Sequence, residues 1–154
     1  MIREPRLDDE QGIRDMLVEF KKESFNNTFC PMNEETIIKR VKQGLDTGIP
    51  FGYVAEVGGK IVGMIAGMVI ESYTDETKKI GMELVWIVSK EFRNKGEGVK
   101  LFKALENRFI AEECDFIIFT AGSYSEHTDN SGKLESLYVR QGYSKLETQF
   151  VKRR

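Results

Sequence analysis

The hexapeptide RNKGEG, Arg93–Gly98, separates two apolar segments of this chain. It follows the run Leu84–Val88 and precedes the amphipathic segment Val99–Ile110. This order predicts a strand, a short glycine loop and the first turn of a helix. Backbone N–H groups converge at such a junction, the helix dipole adds partial positive charge, and glycines let an anion approach the backbone closely. The loop therefore predicts a binding site for a phosphate or a pyrophosphate.

The spacing of the glycines argues against two common phosphate loops. A P-loop closes on Gly-Lys-Ser/Thr, whereas Gly98 is followed by Val99 and Lys100, which offer no hydroxyl to a magnesium ion. A dinucleotide fingerprint needs G-x-G-x-x-G with an acidic residue about 20 positions later, and here the third glycine is missing. The remaining pattern is R-x-x-G-x-G. On the loop alone, a turn whose glycines merely join a strand to a helix is the alternative.

Size and composition are typical of one globular domain spanning residues 1–154. Hydrophobic residues make up 40% and charged residues 31% of the chain, and the net charge of −2 argues against a dedicated nucleic-acid binder. The two cysteines lie far apart and there is one histidine, so no metal site is expected. No apolar run approaches the roughly 20 residues that span a membrane, and no signal peptide is evident. We therefore expect a cytoplasmic protein.

Local patterns predict helices and a hairpin in the first half of the chain. Asn33 is expected to cap a helix that ends at Gly48. Two strands joined by Gly58-Gly59 form the predicted hairpin Phe51–Ile70, because a two-glycine turn matches the twist of antiparallel strands.

The second half of the chain adds elements on both sides of the glycine loop. Strands are predicted at Ile80–Ser89, Phe116–Ala121 and Tyr143–Lys152, and a short helix from about Ser131 to Arg140 is expected to end at Gly142. The complete order, β-α-α-β-β-β-α-β-α-β, indicates a mixed α/β sheet with helices on its faces.

Two segments resemble motifs of the GNAT family of N-acetyltransferases. One is Leu84–Leu105, which contains the R-x-x-G-x-G loop; the other is Leu137–Tyr143, LYVRQGY, which is similar to the family's last-helix motif. The order of elements is similar to the GNAT fold over nearly the whole chain. The resemblance implies a mixed, mostly antiparallel central sheet with helices on both faces. It also implies acetyl-CoA as co-substrate and direct attack by a primary amine in a ternary complex.

The resemblance implies that acetyl-CoA is held mainly by backbone groups. Main-chain N–H groups of the loop bind the pyrophosphate, and the preceding strand splays from its neighbour to pair with the pantetheine arm. Many family members also place an asparagine seven residues before the last-helix tyrosine; here that position is Ser131, with Asn130 one step earlier, and either could serve. The implied cofactor-binding residues are Trp86, Ile87, Val88, Arg93, Asn94, Lys95, Gly96, Glu97, Gly98, Asn130 and Ser131.

Glu83 is the candidate general base. It lies between Met82 and Leu84 inside an apolar strand, where partial burial raises a carboxyl pKa toward the range useful for a base. The resemblance adds that family members often use a glutamate on this strand, directly or through water. Strand alternation leaves open the alternative of a glutamate on the solvated face.

Tyr138 is the candidate general acid. The resemblance matches it to the family's proton-donating tyrosine, and a phenol with a pKa of about 10 stays protonated at neutral pH. The alternative is a core tyrosine on a helix face.

The sequence does not identify the acceptor. The resemblance places the acceptor site beside the loops Phe25–Met32 and Ser72–Lys79. A small-molecule amine, a peptide N-terminus and a lysine side chain all remain open. No nucleic acid or membrane partner is expected, and a homodimer is compatible with the sequence. The alternative functions are an acetyl-CoA-binding sensor and an interaction module, both without turnover.

Overall fold

The computed structural model of the protein describes residues 1–23, 32–121 and 131–147. The strands are β1 (Ile2–Arg3), β2 (Phe51–Val57), β3 (Lys60–Ser72), β4 (Asp75–Val88) and β5 (Phe116–Ile118). The helices are α1 (Glu10–Glu23), α2 (Glu34–Thr47), α3 (Glu97–Ala111) and α4 (Ser131–Arg140), with single 3-10 turns at Leu7–Asp9 and Lys90–Phe92. The described residues fall into two compact units, the first comprising residues 1–20 and 33–119 and the second the remainder.

One five-stranded sheet, in the order β1-β2-β3-β4-β5, forms the centre of the first unit. All neighbouring strands are antiparallel except β4 and β5, which are parallel and are connected through α3. The predicted hairpin is present, and its turn has positive φ at both Gly58 and Gly59 (59° and 77°). The prediction of a mixed, mostly antiparallel sheet is therefore confirmed.

Helix α3 packs closely against one face of the sheet because that face carries glycines. A Cβ atom at Gly67 or Gly81 would lie 2.6 or 2.5 Å from ring atoms of Phe109, and one at Gly63 would lie 3.1 Å from Leu101 Cδ1. Side chains at these positions would push the helix away. Leu101 and Phe109 are fully buried in the resulting core.

The opposite face of the sheet is covered by α1 and α2. Met64 alternates with Gly63 along β3 and therefore points away from α3. It lines a cavity together with Val54 of β2, Ile13 of α1 and Ile37 of α2. Helices thus lie on both faces, as predicted.

The ends of α2 are formed by the two residues that the sequence indicated. Asn33 Oδ1 accepts a hydrogen bond from the Thr36 N–H at 2.9 Å, which caps the first turn. Gly48 adopts the left-handed conformation, with φ of 77°, and its N–H donates to Gly44 O at 2.8 Å. Among the described residues, no helix is long and apolar enough to cross a membrane.

Two strands predicted near the C-terminus need correction. β5 ends at Ile118 rather than Ala121, and the ring of the next residue, Phe119, packs 4.6 Å from that of Phe102 on α3. The described part of the predicted strand Tyr143–Lys152, residues 143–147, is irregular, and the remainder lies outside the described residues. The Tyr143 N–H closes the end of α4 on the Tyr138 carbonyl at 3.0 Å instead of entering a strand ladder.

An ion network joins β1, β2 and the start of the first helical segment. Arg3 donates two hydrogen bonds of 2.7 Å to Asp9 and one of 2.8 Å to Glu56, and the Asp9 side chain is only 8% exposed. The Arg6 N–H also donates to Asp9. Hydrogen bonding by Arg3 is the main cause that lowers the pKa of Asp9 below its usual range.

Asp9→Asn should therefore lower the free energy of unfolding by about 2 kcal/mol near pH 7, because it removes one of the two carboxylates that pair with the buried Arg3 charge and leaves only Glu56. A lowered folded-state pKa means that the stability supplied by Asp9 is present above the unfolded pKa of about 3.9 and is lost as the pH falls through the folded value. Urea unfolding across this pH range should show that the difference in unfolding free energy between wild type and variant becomes smaller in acid. The exposed Asp46→Asn is the control, and equal urea midpoints for wild type and Asp9→Asn at neutral pH would contradict the prediction.

Candidate active site

The glycine loop joins the end of β4 to α3, as the sequence predicts. Gly96 is the N-cap of α3 and has a φ of 97°, a conformation that strongly favours glycine. Asn94 also has positive φ, at 64°, which asparagine tolerates better than most residues. The turn is closed by the Lys95 N–H, which donates to Phe92 O at 3.4 Å. The backbone of the loop thus requires Gly96 for conformational reasons alone.

The first turn of α3 has no side-chain cap. Gly96 offers no side chain, and the first helical hydrogen bond runs from the Lys100 N–H to Gly96 O at 3.0 Å. The N–H groups of residues 97–99 therefore precede the helical ladder and face the N-terminal end of the helix. Together with the helix dipole they form an electropositive site suited to an anion.

Glu97 places a carboxylate in the first turn of α3, beside Lys100. Its carboxylate lies 3.1 Å from Lys100 Nζ, and this hydrogen bond is the main cause that lowers the Glu97 pKa. The negative charge introduced at position 97 is thus matched within the same helical turn.

Gly98 is not required by the local structure. Its φ lies outside the left-handed region, and a Cβ there would meet Trp86 and Val88 at 3.6 Å, which is ordinary van der Waals contact. Neither the backbone conformation nor the packing thus demands a glycine. The missing side chain does leave the N-terminus of α3 open to a ligand that approaches the backbone.

The two cations of the loop are engaged with the protein itself. Arg93 Nε donates to Val88 O at 2.9 Å, and its guanidinium carbon lies 5.8 Å from the ring centroid of Phe20. Lys95 Nζ lies 5.0 Å from the ring centroid of Phe92. The sequence indicated charge at the loop but not these partners. Arg93 fastens the loop to the end of β4.

The last residues of β4 form the wall behind the loop. The Trp86 ring stacks on that of Phe102 at 5.9 Å, and Ile87 is only 2% exposed. Trp86 Nε1 and Ser89 Oγ are buried and have no hydrogen-bond partner within the described chain. The side chains of Trp86 and Ile87 therefore serve the core, and any contact of this segment with a ligand would come from its backbone.

Strands β4 and β5 separate before β4 ends. Their parallel ladder pairs Ile80–Met82 with Phe116–Ile118, whereas β4 continues to Val88. Residues 83–88 of β4 have no strand partner on that edge within the part of the chain that the structure describes. The splay implied by the family resemblance is thus present, and it leaves backbone groups of β4 available to an extended ligand.

Glu83 is the first β4 residue beyond this ladder. It pairs in register with Gly67 of β3, which has no side chain. Because side chains alternate along a strand, Glu83 shares a face with Gly81, the face covered by Phe109 of α3. Glu83 is half-buried there rather than on a fully solvated surface.

A β-bulge follows directly after Glu83. Gly67 pairs with Glu83 and Ala66 pairs with Val85, so Leu84 is an extra residue in β4. The bulge directs Leu84 and Val85 to the opposite face, where both line a cavity of about 510 Å³ between α2 and the sheet. The sequence did not indicate this cavity, because it depends on the pairing of β3 with β4.

The second unit contains Tyr138 on α4. The side chain is 8% exposed, its Oη donates to Thr120 O at 3.0 Å, and its ring lies 6.0 Å from that of Tyr143. Gly142 has a φ of 89° just beyond the helix, as predicted for a C-cap. Ser131 is the first residue of α4, and Asn130 lies outside the described residues. Tyr138 thus has a buried ring and a hydrogen-bonded hydroxyl.

The two loops expected to border the acceptor add little to the candidate site. Of Phe25–Met32 only Met32 is described, and Ser72–Lys79 is mostly the turn and paired start of the long β3–β4 hairpin. No group of three His, Cys, Asp or Glu side chains in the described ranges is arranged to hold a metal ion.

Comparison with known proteins adds a family and a fold. A family model for the acetyltransferase (GNAT) family matches residues 13–143. A comparison with curated proteins finds no match.

Similar solved structures include three acetyltransferases. A GNAT family acetyltransferase from Staphylococcus aureus is 20% identical with a TM-score of 0.70, covering 100% of this chain and 98% of that chain. Glucosamine-6-phosphate N-acetyltransferase from Arabidopsis thaliana is 21% identical with a TM-score of 0.73, covering 99% and 97%. A predicted acetyltransferase with acetyl-CoA from Clostridium acetobutylicum is 13% identical with a TM-score of 0.71, covering 99% and 95%. At these identities the likeness establishes the fold.

Proposed function

The chain belongs to the acetyltransferase (GNAT) family, and from this premise we propose that it transfers the acetyl group of acetyl-CoA to a primary amine by direct attack in a ternary complex. The observation that carries the proposal is the uncapped N-terminus of α3 beside Gly98, next to the open edge of β4. The N-terminus of α3 suits an anion, and the open edge of β4 suits an extended chain with amide groups. Coenzyme A carries both, in its pyrophosphate and its pantetheine arm.

The proposed cofactor site consists mainly of backbone groups. The N–H groups of residues 94–98 would hold the pyrophosphate, that of Lys95 by leaving Phe92 O. Within Trp86, Ile87 and Val88, the backbone groups that point to the open edge, which alternate along the strand, would pair with the pantetheine arm. Acetyl-CoA supplies a thioester carbon for attack by the amine. Backbone donors along the open edge of β4 are suited to stabilise negative charge that develops on the thioester oxygen. Asn130 or Ser131 would add a contact from the start of α4.

Glu83 would accept the proton that the ammonium form of the acceptor must lose. Its position supports this role, because it is half-buried at the point where β4 and β5 separate. A carboxylate in this position can take up the proton directly or through a water molecule.

Tyr138 would donate a proton to the departing sulfur. Its ring is buried, and its hydroxyl donates its one proton to Thr120 O, so the hydroxyl would turn away from that carbonyl to donate to the sulfur. These contacts support a positioned phenol, and the assignment of the role rests on the family motif.

Tyr138→Phe should lower kcat by about 10- to 100-fold, because it removes the proton donor and keeps the ring. The KM for acetyl-CoA should change far less than kcat. Tyr143→Phe is the matched control, since it removes a hydroxyl from the ring that packs beside Tyr138. Steady-state kinetics at varied acetyl-CoA concentrations would measure the effects on kcat and on KM separately. Normal turnover by Tyr138→Phe would argue against the assignment.

The reaction itself is tested by incubating the protein with acetyl-CoA and a panel of primary amines, peptides with free N-termini and lysine peptides. Thiol release and mass spectrometry of the acceptor would report transfer. Acetylation of one acceptor supports the enzyme. Binding of acetyl-CoA without transfer across the panel would favour the sensor, and no binding would favour the interaction module. We also propose a cytoplasmic location, where acetyl-CoA is supplied and free thiols persist.

A further inference from the structure

The cavity between α2 and the sheet has apolar walls that a small molecule can reach. Its volume of about 510 Å³ lies in the range typical of small-molecule sites. Ile37, Val41 and Leu45 line it from α2 at intervals of four residues, so one stripe of the helix faces it. Leu45 is 39% exposed, and Leu84, which lines the cavity from β4, is 47% exposed. The described helices therefore do not close over this face of the sheet, and apolar surface is left for a ligand to cover.

The cavity is separate from the proposed coenzyme A site. None of residues 86–98 lines it. Leu84 and Val85 do line it, but Glu83 faces α3 on the other side of the sheet. A molecule in the cavity would therefore lie apart from both the glycine loop and the proposed base.

The charged groups at the cavity do not favour an ionised ligand. Arg108 lies 3.7 Å from Glu4 and 2.8 Å from Glu112, so its charge is offset. Arg40 is exposed on α2, where water screens its charge. The other residues that line the cavity are uncharged. An ion that entered would lose hydration without gaining a buried partner of opposite charge.

One wall of the cavity contains an unpaired strand edge. β1 pairs only with residues 54 and 55, so Gly52 of β2 has no strand partner on its outer edge within the described residues. Backbone groups alternate in direction along a strand, and the Glu56 N–H points to this edge, where it donates to Met1 O at 2.8 Å. The N–H and C=O of Gly52, four residues away, therefore point to the same edge. Pro5, at the next pairing position, also lines the cavity and has no N–H to offer.

We propose that this cavity is a second ligand site, which takes a small uncharged molecule with an apolar body and a carboxamide group. The apolar walls take the body of the ligand. The Gly52 N–H donates to the carboxamide oxygen, and the Gly52 C=O accepts from the carboxamide N–H, as in one more antiparallel pair. A carboxylate has no proton for the Gly52 C=O, and an ammonium group has no acceptor for the Gly52 N–H. The carboxamide is therefore preferred to either ion.

The test compares three probes that share one ring system: 1-naphthylacetamide, 1-naphthylacetic acid and 2-(1-naphthyl)ethylamine. Calorimetry measures their binding to the full chain without acetyl-CoA, and again with saturating coenzyme A. We expect the amide to bind about tenfold or more tightly than either ion, because only the amide satisfies both groups of Gly52. Coenzyme A should leave the Kd of the amide within about twofold, since separate sites need not be coupled.

Three variants locate the site. Ala66→Leu adds three carbon atoms to a half-buried position that lines the cavity, and should weaken binding of the amide about tenfold or more. Leu45→Gln replaces an exposed part of the apolar wall and should weaken it about threefold or more. Ala111→Leu makes the first substitution at an exposed end of α3 that does not line the cavity, and should bind as wild type does. Circular dichroism with thermal unfolding reports the fold of each variant, and Leu45→Gln decides if Ala66→Leu does not fold.

Binding in this experiment does not depend on acetyl transfer, so a failure of the proposed function leaves its result intact. Equal or tighter binding of the acid or the amine would overturn the inference. Competition between the amide and coenzyme A, or a wild-type Kd for the amide in the folded cavity variants, would also overturn it. Absence of amide binding to wild type would have the same meaning and would leave acetyl transfer standing.

Discussion

Gly98→Glu is expected to abolish acetyl-CoA binding while the protein stays folded. A Cβ at position 98 would lie 3.6 Å from its nearest neighbours, so the first atom of the new side chain fits. The carboxylate would then occupy the N-terminus of α3, where it competes with a phosphate for the same N–H groups and repels it. We expect the Kd for acetyl-CoA to rise by at least about 100-fold, equivalent to roughly 2.7 kcal/mol.

Two further variants show whether a loss of binding comes from the carboxylate at position 98, from added charge elsewhere on α3 or from the added Cβ alone. Asn107→Glu adds the same charge at an exposed position of the same helix and should bind acetyl-CoA as wild type does. Gly98→Ala adds only the Cβ that the structure accommodates and should weaken binding much less than glutamate does. Calorimetry reports the affinity, and circular dichroism with thermal unfolding reports the fold. Wild-type affinity in Gly98→Glu would show that the α3 N-terminus is not the phosphate site.

Glu83→Gln is expected to lower kcat/KM by about 100-fold or more, the usual range for loss of a general base. Glutamine has nearly the same shape but cannot accept a proton from the ammonium group. The deficit should narrow as the pH rises toward the pKa of the acceptor amine, because the unprotonated amine then becomes abundant. The KM for acetyl-CoA should stay within about twofold of wild type, since the proposed cofactor contacts are backbone groups.

The pH profile distinguishes a base from a structural role of Glu83. A purely structural loss would lower activity equally at every pH, whereas loss of a base gives a deficit that narrows as the pH rises. Glu135→Gln, on the exposed surface of α4, is the control for the loss of one carboxylate. A kcat/KM profile of Glu83→Gln that follows wild type from about pH 6 to pH 9 would eliminate Glu83 as the base.

Features that depend on local backbone chemistry could be predicted from the sequence. Gly96 takes up a positive φ that few other residues adopt, and Asn33 and Gly48 form the ends of α2 through contacts within four residues. Gly58-Gly59 forms its turn for the same reason. In each case the residues that determine the conformation are neighbours in the sequence, so no knowledge of tertiary packing is needed.

Features that depend on pairing between distant segments could not be predicted. The bulge at Leu84 exists only through the register of β3 against β4, and it decides that Leu84 and Val85 both lie on the face opposite to Glu83. The end of β5 at Ile118 likewise depends on its pairing with β4, which stops at Met82. Arg93 could be recognised as a charge at the loop, but its bond to the Val88 carbonyl requires the folded turn.

Binding of coenzyme A at the glycine loop can be tested by thermal unfolding of the protein with acetyl-CoA, with coenzyme A and with NAD. A ligand at 100 times its Kd adds about 2.7 kcal/mol of stability, which for a chain of this size raises the unfolding midpoint by roughly 5 to 11 °C. We expect such a rise with acetyl-CoA and coenzyme A, none with NAD, and none for Gly98→Glu. Unchanged midpoints with both coenzyme A ligands, or an equal rise with NAD, would mean that the glycine loop is only a turn, and the roles of Glu83 and Tyr138 would fall with it.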